Sequence, residues 1–134
     1  MRAIAALLLA MSLAGCATAA QDACPLGQER LRTAQLFFGR SIDGKPEVSE
    51  TQFRKFIDDE LTPRFPDGLT VIDGGAQWRG DENKLIREAS KVVLLVLPRS
   101  RDAGQRVDAV RAAYKRWFER DSVLLITQAS CVSF

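Results

Sequence analysis

Leu69-Thr70-Val71-Ile72-Asp73-Gly74-Gly75-Ala76-Gln77-Trp78-Arg79, then Gly80-Asp81-Glu82-Asn83-Lys84, then Leu85-Ile86-Arg87-Glu88-Ala89-Ser90-Lys91-Val92-Val93-Leu94-Leu95-Val96-Leu97 is the stretch that decides the fold. Two β-prone runs flank a short polar segment, which reads as a hairpin. Centring it on Glu82 sets Val71 opposite Val93, Asp73 opposite Lys91, Gln77 opposite Arg87 and Trp78 opposite Ile86. Opposite charges then meet across the strands, and the apolar residues face one another. Gly74-Gly75 leaves one alternative open, a bulge that would shift the pairing by one residue.

Working outward, Ser49-Glu50-Thr51-Gln52 reads as a capping box ahead of a helix. Phe53, Phe56, Ile57 and Leu61 share one helical face, and Pro63 and Pro66 stop the helix. Arg32 to Arg40, with Leu36, Phe37 and Phe38, reads as a first strand, joined to the helix by a Ser41 to Val48 loop. Downstream, Val107, Val110, Tyr114 and Trp117 mark a helix from about Asp102 to Arg120, and Ser122 to Phe134 closes the chain as a last strand. The order is βαββαβ, which predicts an α+β ferredoxin-like sandwich. Right-handed crossovers give an antiparallel sheet ordered 4-1-3-2 with both helices on one face. The last strand then lies beside the first, which brings Cys131 near Cys24 and predicts a disulfide.

The N-terminus carries a different message. Met1-Arg2, an apolar run from Ala3, and Leu13-Ala14-Gly15-Cys16 resemble a bacterial lipoprotein signal. Residues 1–15 read as the signal peptide, 16–30 as a lipidated Cys16 followed by a surface tether, and 31–134 as one domain. The run is too short to span a bilayer as a helix, which takes about 20 apolar residues. Ala17 rather than Asp after the Cys resembles the outer-membrane sorting pattern, so the expected location is the outer membrane, facing the periplasm. The membrane is an expected partner, held through acyl chains on Cys16, and a homodimer through the open sheet face is a candidate second one.

Composition narrows the chemistry. Cleavage before Cys16 would remove Arg2, one of 19 basic residues, and none of the 17 acidic ones, so the charge falls from +2 to +1. A nucleic-acid partner would need a clustered basic excess, and none is expected here. There is no His, which excludes imidazole catalysis, and two isolated cysteines cannot build a tetrahedral zinc site. No metal and no cofactor is implied. With Cys16 lipidated, Cys24 and Cys131 form an even pair in an oxidising compartment.

The candidate site residues gather on the helix-to-strand loop and the central hairpin. Glu88 or Asp67 could act as a base, and Arg64, Trp78, Arg79 and Lys91 could bind a ligand, in a pocket between the Arg64 to Asp67 loop and the Glu88 strand. Structural roles compete: Arg64 and Asp67 would fix a Pro-bounded turn, and Asp73 would pair with Lys91 across the hairpin. Val92 to Leu97 is apolar at every position, so the sheet face opposite the helices should be apolar as well. A second copy or the Ser41 to Val48 loop would cover it.

Leu36-Phe37-Phe38-Gly39-Arg40, Val48-Ser49-Glu50, Thr62-Pro63-Arg64-Phe65-Pro66-Asp67-Gly68-Leu69-Thr70-Val71, Gln77-Trp78-Arg79 and Arg87-Glu88-Ala89-Ser90-Lys91-Val92-Val93 resemble the bacterial family catalogued as domain of unknown function (DUF) 3574. The resemblance implies an exported single domain and adds no catalytic residue. Two functions from different classes follow. The preferred one is a non-catalytic, lipid-anchored envelope domain that binds a ligand or partner. The alternative is a small cofactor-independent enzyme built on a carboxylate, Arg and Lys pocket.

Overall fold

The computed structural model describes residues 23–41 and 45–134. The expected signal segment, Cys16 and the tether as far as residue 22 lie outside the described residues. Six elements follow in order: β1 (Glu29–Gly39), α1 (Glu50–Phe56), β2 (Thr70–Arg79), β3 (Leu85–Val96), α2 (Ala103–Phe118) and β4 (Leu124–Val132). They form one antiparallel sheet ordered β2-β3-β1-β4, the 4-1-3-2 arrangement read from its other edge.

The β2–β3 hairpin has the register that its charges and apolar residues specify. Val71 pairs with Val93, Asp73 with Lys91, Gln77 with Arg87 and Trp78 with Ile86. Gly74 and Gly75 stay in register opposite Ser90 and Ala89, without a bulge. The connection is a single 3-10 turn, Asp81–Asn83, in which Glu82 and Asn83 take left-handed φ values of 57° and 60°. Asn tolerates that region, whereas Glu carries a local cost.

β1 starts earlier than its apolar residues suggest. Glu29 and Arg30 fall in the segment read as tether, yet they pair with Val132 and Cys131 of β4. Their side chains are exposed, so no hydrophobic pattern marks them; backbone hydrogen bonding and the adjacent Cys24–Cys131 disulfide hold them in the sheet.

Ser49 caps α1 as expected: its Oγ accepts from the Gln52 amide, and Gln52 Oε1 accepts from the Ser49 amide. The helix then widens into a π-turn over Ile57–Leu61, where the Thr62 amide donates to Ile57 O at 2.9 Å. Pro63 supplies the reason. It has no N–H to donate and its ring crowds the preceding turn, so a wider turn relieves the clash while keeping Leu61 buried.

Alternation divides the sheet cleanly. Ala34, Leu36 and Phe38 of β1 and Val93 and Leu95 of β3 point into the core with Phe53, Phe56, Val107, Val110 and Tyr114 from the helices. Phe38, Phe56 and Tyr114 pack edge-on or tilted, with ring centroids 4.7–5.7 Å apart. The other face carries Phe37, Val92, Leu94 and Val96, all half-buried, with Ile72, Leu124 and Ile126 more exposed. The described part of the Ser41 to Val48 loop does not cover that face. Val48 enters the core and Lys45 Nζ donates to the carbonyl of Glu119 beyond α2.

Candidate functional site

Two side chains on the uncovered face are buried where solvent should reach them. Glu88 and Ser90 of β3 are 9% and 7% exposed, although neither lies under a helix. Gly39 explains Glu88. A Cβ built on Gly39 would meet Glu88 Oε1 at 2.1 Å and its carboxyl carbon at 2.7 Å, so the carboxylate lies across a strand position that only glycine leaves open. Neighbouring chain fixes the arrangement: the Arg40 amide donates to Ala89 O at 2.8 Å, and the Ala89 amide donates to Ser41 Oγ at 3.3 Å.

The countercharge comes from the opposite layer. Glu119 ends α2 in the left-handed conformation, φ 51°, and this turn sends Arg120 back beneath the end of β1. Its Nη2 donates to Arg40 O at 2.7 Å and to Pro46 O at 2.8 Å. Arg120 is 4% exposed. Tyr114 lies beside it and donates its phenol to Gly39 O at 2.8 Å; burial pushes that phenol up to about 12, against the pull of the Arg120 charge.

Glu88 is therefore desolvated without being fully satisfied. Burial pushes its carboxyl above the ordinary glutamate range, while the Arg120 charge and the Ser41 amide oppose the shift. Oε1 has no hydrogen-bond partner among the described residues, nor do Arg120 Nε and Nη1. A cleft of about 650 Å³ opens beside them. Phe37, Val92 and Leu124 form its apolar base, Gly74 to Ala76 leave it shallow toward β2, and Trp78 stands at its edge, 42% exposed. The site thus offers one buried acceptor, a nearby cation, a hydroxyl and a flat apolar surface beside an indole.

The buried carboxylate has a testable consequence. Because the folded-state pKa of Glu88 is raised, its protonated form favours the fold, and that contribution is lost as pH rises through the folded-state value. Glu88→Gln should then be more stable than the parent near pH 8, with the difference vanishing below about pH 4, the unfolded glutamate range. Urea denaturation at both pH values measures this. A variant less stable than the parent at pH 8 would show that Glu88 serves the fold.

The other candidate residues take separate places. Asp67 does not face Glu88. It lines a second cleft, about 600 Å³, at the opposite end of the sheet with Leu31, Leu94, Val96 and Phe134, so the pocket expected between the Arg64 to Asp67 loop and the Glu88 strand is not formed. Strand polarity is the reason: the loop leads into the start of β2, which pairs with the far end of β3. Arg64 Nη1 donates to Glu60 O at 2.6 Å and pairs with the Glu60 carboxylate at 2.8 Å. Arg79 staples the hairpin turn through Asn83.

Lys91 is buried on the helix side, where Nζ reaches Asp73 and, at 2.8 Å, Glu50. Hydrogen bonds from Lys91 hold both carboxyls below their ordinary range, and the two acceptors raise the lysine. Of the residues singled out in the sequence, Glu88 and Trp78 meet at one cleft, with Ser90 beside them. Arg120 and Gly39, which build it, are not among those residues: the sequence marks them only as the end of the second helix and a position in the first strand. A glycine inside a strand was the available signal; Arg120 had none, since a basic residue at a helix C-terminus ordinarily complements the dipole.

The family model described as "Protein of unknown function (DUF3574)" matches residues 33–134. The chain belongs to the DUF3574 family. No curated protein matches this DUF3574 chain by sequence. Among solved structures it is similar to a phage SAM lyase in complex with S-methyl-5′-thioadenosine, at 14% identity and TM-score 0.59, covering 85% of this chain and 95% of that one. The apo state of a phage SAM lyase is similar at 15% identity and TM-score 0.59, covering 78% and 90%. At such identities the likeness shows the fold that this DUF3574 domain shares with them.

Proposed function

We propose that this DUF3574 protein is a lipid-anchored envelope domain that binds a small molecule in the Glu88 cleft on its uncovered sheet face. The observation that carries this reading is the buried, unpartnered Oε1 of Glu88 beside an open cleft. A buried acceptor without a donor costs stability, and a ligand N–H at that position removes the cost. The chemistry favours a nitrogen-bearing ligand with a planar apolar portion that lies over Gly74 to Ala76 against Trp78.

The mature chain from Cys16 can be titrated with S-methyl-5′-thioadenosine and with simple aromatic amidines while amide and indole NMR shifts are followed. Shifts confined to Glu88, Ser90, Arg120 and the Trp78 indole, lost in Glu88→Gln, are expected. Shifts elsewhere, or retained in that variant, would count against the site. A second copy packed on Ile72, Leu124 and Ile126 would seal the cleft, and it is recognised by shifts that change with protein concentration alone. Mass spectrometry of the envelope fraction tests the anchor, with an acylated N-terminal Cys16 expected.

The raised Glu88 carboxyl also supports a second reading, a small cofactor-independent enzyme with Glu88 as proton acceptor. Solved structures of the same fold include a SAM lyase. Incubation with SAM, followed by chromatography for S-methyl-5′-thioadenosine, separates catalysis from binding.

A further inference from the structure

The two most exposed large apolar side chains, Leu26 at 104% and Phe134 at 103%, lie at the same end of the sheet. Leu26 stands in the turn just before β1, two residues after disulfide-bonded Cys24, and Phe134 follows β4 and lines the apolar cleft with Leu31, Leu94 and Val96. Nothing in the fold requires either to be apolar. Cys24–Cys131 pins the chain at this end. From Cys16 to Cys24 the sequence runs eight residues, a reach of at most about 28 Å even fully extended.

Arg32 and Arg101 belong to the same end, within β1 and just beyond β3, with Asp67 as the acid beside them. Glu29 is already paired with Arg99, and Asp102 with Arg106. Among the described residues no helix is long and apolar enough to cross a membrane.

From this placement we infer that the disulfide end is a membrane-docking surface: Leu26 and Phe134 enter the headgroup boundary of an anionic bilayer, with the arginines at the phosphates. The inference rests on the anchor at Cys16. It orients the domain so that the Glu88 cleft, at the other end of β3, faces away from the lipid; the eight residue steps from Glu88 to Val96 span about 27 Å.

The mature chain, with its disulfide intact and Cys16 as its one free thiol, can be coupled to maleimide-lipid vesicles containing phosphatidylglycerol and brominated acyl chains. Leu26→Trp and Phe134→Trp report depth, and the native Trp78 and Trp117, both at the far end, serve as internal controls. The added Trp emission should be mostly lost on brominated vesicles and kept on unbrominated ones, while the parent protein's emission is unchanged. Equal quenching of the parent, or no quenching of either added Trp, overturns the orientation. Because coupling supplies the anchor artificially, an unacylated Cys16 in cells would defeat the anchor reading and leave this result standing by itself.

Discussion

Replacing Cys24 and Cys131 together by serine should lower the unfolding free energy by about 3 kcal/mol and the thermal midpoint by roughly 15 °C. The bridge joins residues 107 apart in sequence, with Cα atoms 5.4 Å apart. It therefore closes nearly the whole domain into one loop, and in the chain-entropy account a loop of this length gains the most from closure. The sheet makes the effect specific. Arg30 pairs with Cys131 at the fraying end of β1 and β4, so losing the bridge should expose the Glu29 to Leu31 amides first. Hydrogen exchange of the double variant, set beside the disulfide-bonded parent, would show this as lost protection at that end with Phe37 and Leu125 still protected. A midpoint unchanged within a few degrees would mean that the strand pairing holds this end without covalent help.

Arg120→Met should cost about 3 kcal/mol, because it removes the donor to two carbonyls and leaves buried Glu88 without its nearby cation. Met replaces the aliphatic stem in volume, so the loss reports charge and hydrogen bonding more than packing. The sign with pH is opposite to that of Glu88→Gln. Without Arg120 the Glu88 carboxyl rises further, so the penalty of the variant should grow from acid toward neutral pH. Combining Arg120→Met with Glu88→Gln should recover part of the loss at pH 8, since the neutral amide no longer needs the countercharge. If the two substitutions simply add, the proposed coupling through the cleft is absent. Denaturant titration of the four proteins at two pH values makes the comparison.

Stability and function pull apart at this cleft in a way that bears on the proposal. Glu88 is held in an environment that opposes its charged form, while Gly39 gives up a side chain at the end of the central strand β1 to make room for it. Neither choice helps folding. By contrast, the Lys91 network pairs its charges fully at the rim of the core, and the aromatic cluster of Phe38, Phe56 and Tyr114 packs without polar compromise.

The sequence by itself determined the element order and the disulfide, and the hairpin register apart from the bulge that Gly74-Gly75 left open. These follow from local rules: alternation places each strand residue on one face or the other, a polar turn fixes the centre of the hairpin, and a capping box fixes the start of α1. Strand adjacency in a βαββαβ chain then brings Cys131 to Cys24. The composition also bounded the chemistry, since a chain without histidine cannot use imidazole. Only the tertiary structure decided which charged residues meet. Asp67 and Glu88 are neighbours on paper, separated by one hairpin, yet antiparallel pairing sends them to opposite ends of the sheet. Arg120 is 32 positions beyond Glu88 in the chain and acts on it only because a left-handed residue at the end of α2 turns its side chain back under β1. Periodicity reports the face a residue occupies. It carries no information about which distant element supplies the countercharge, because that contact is set by how the two layers pack.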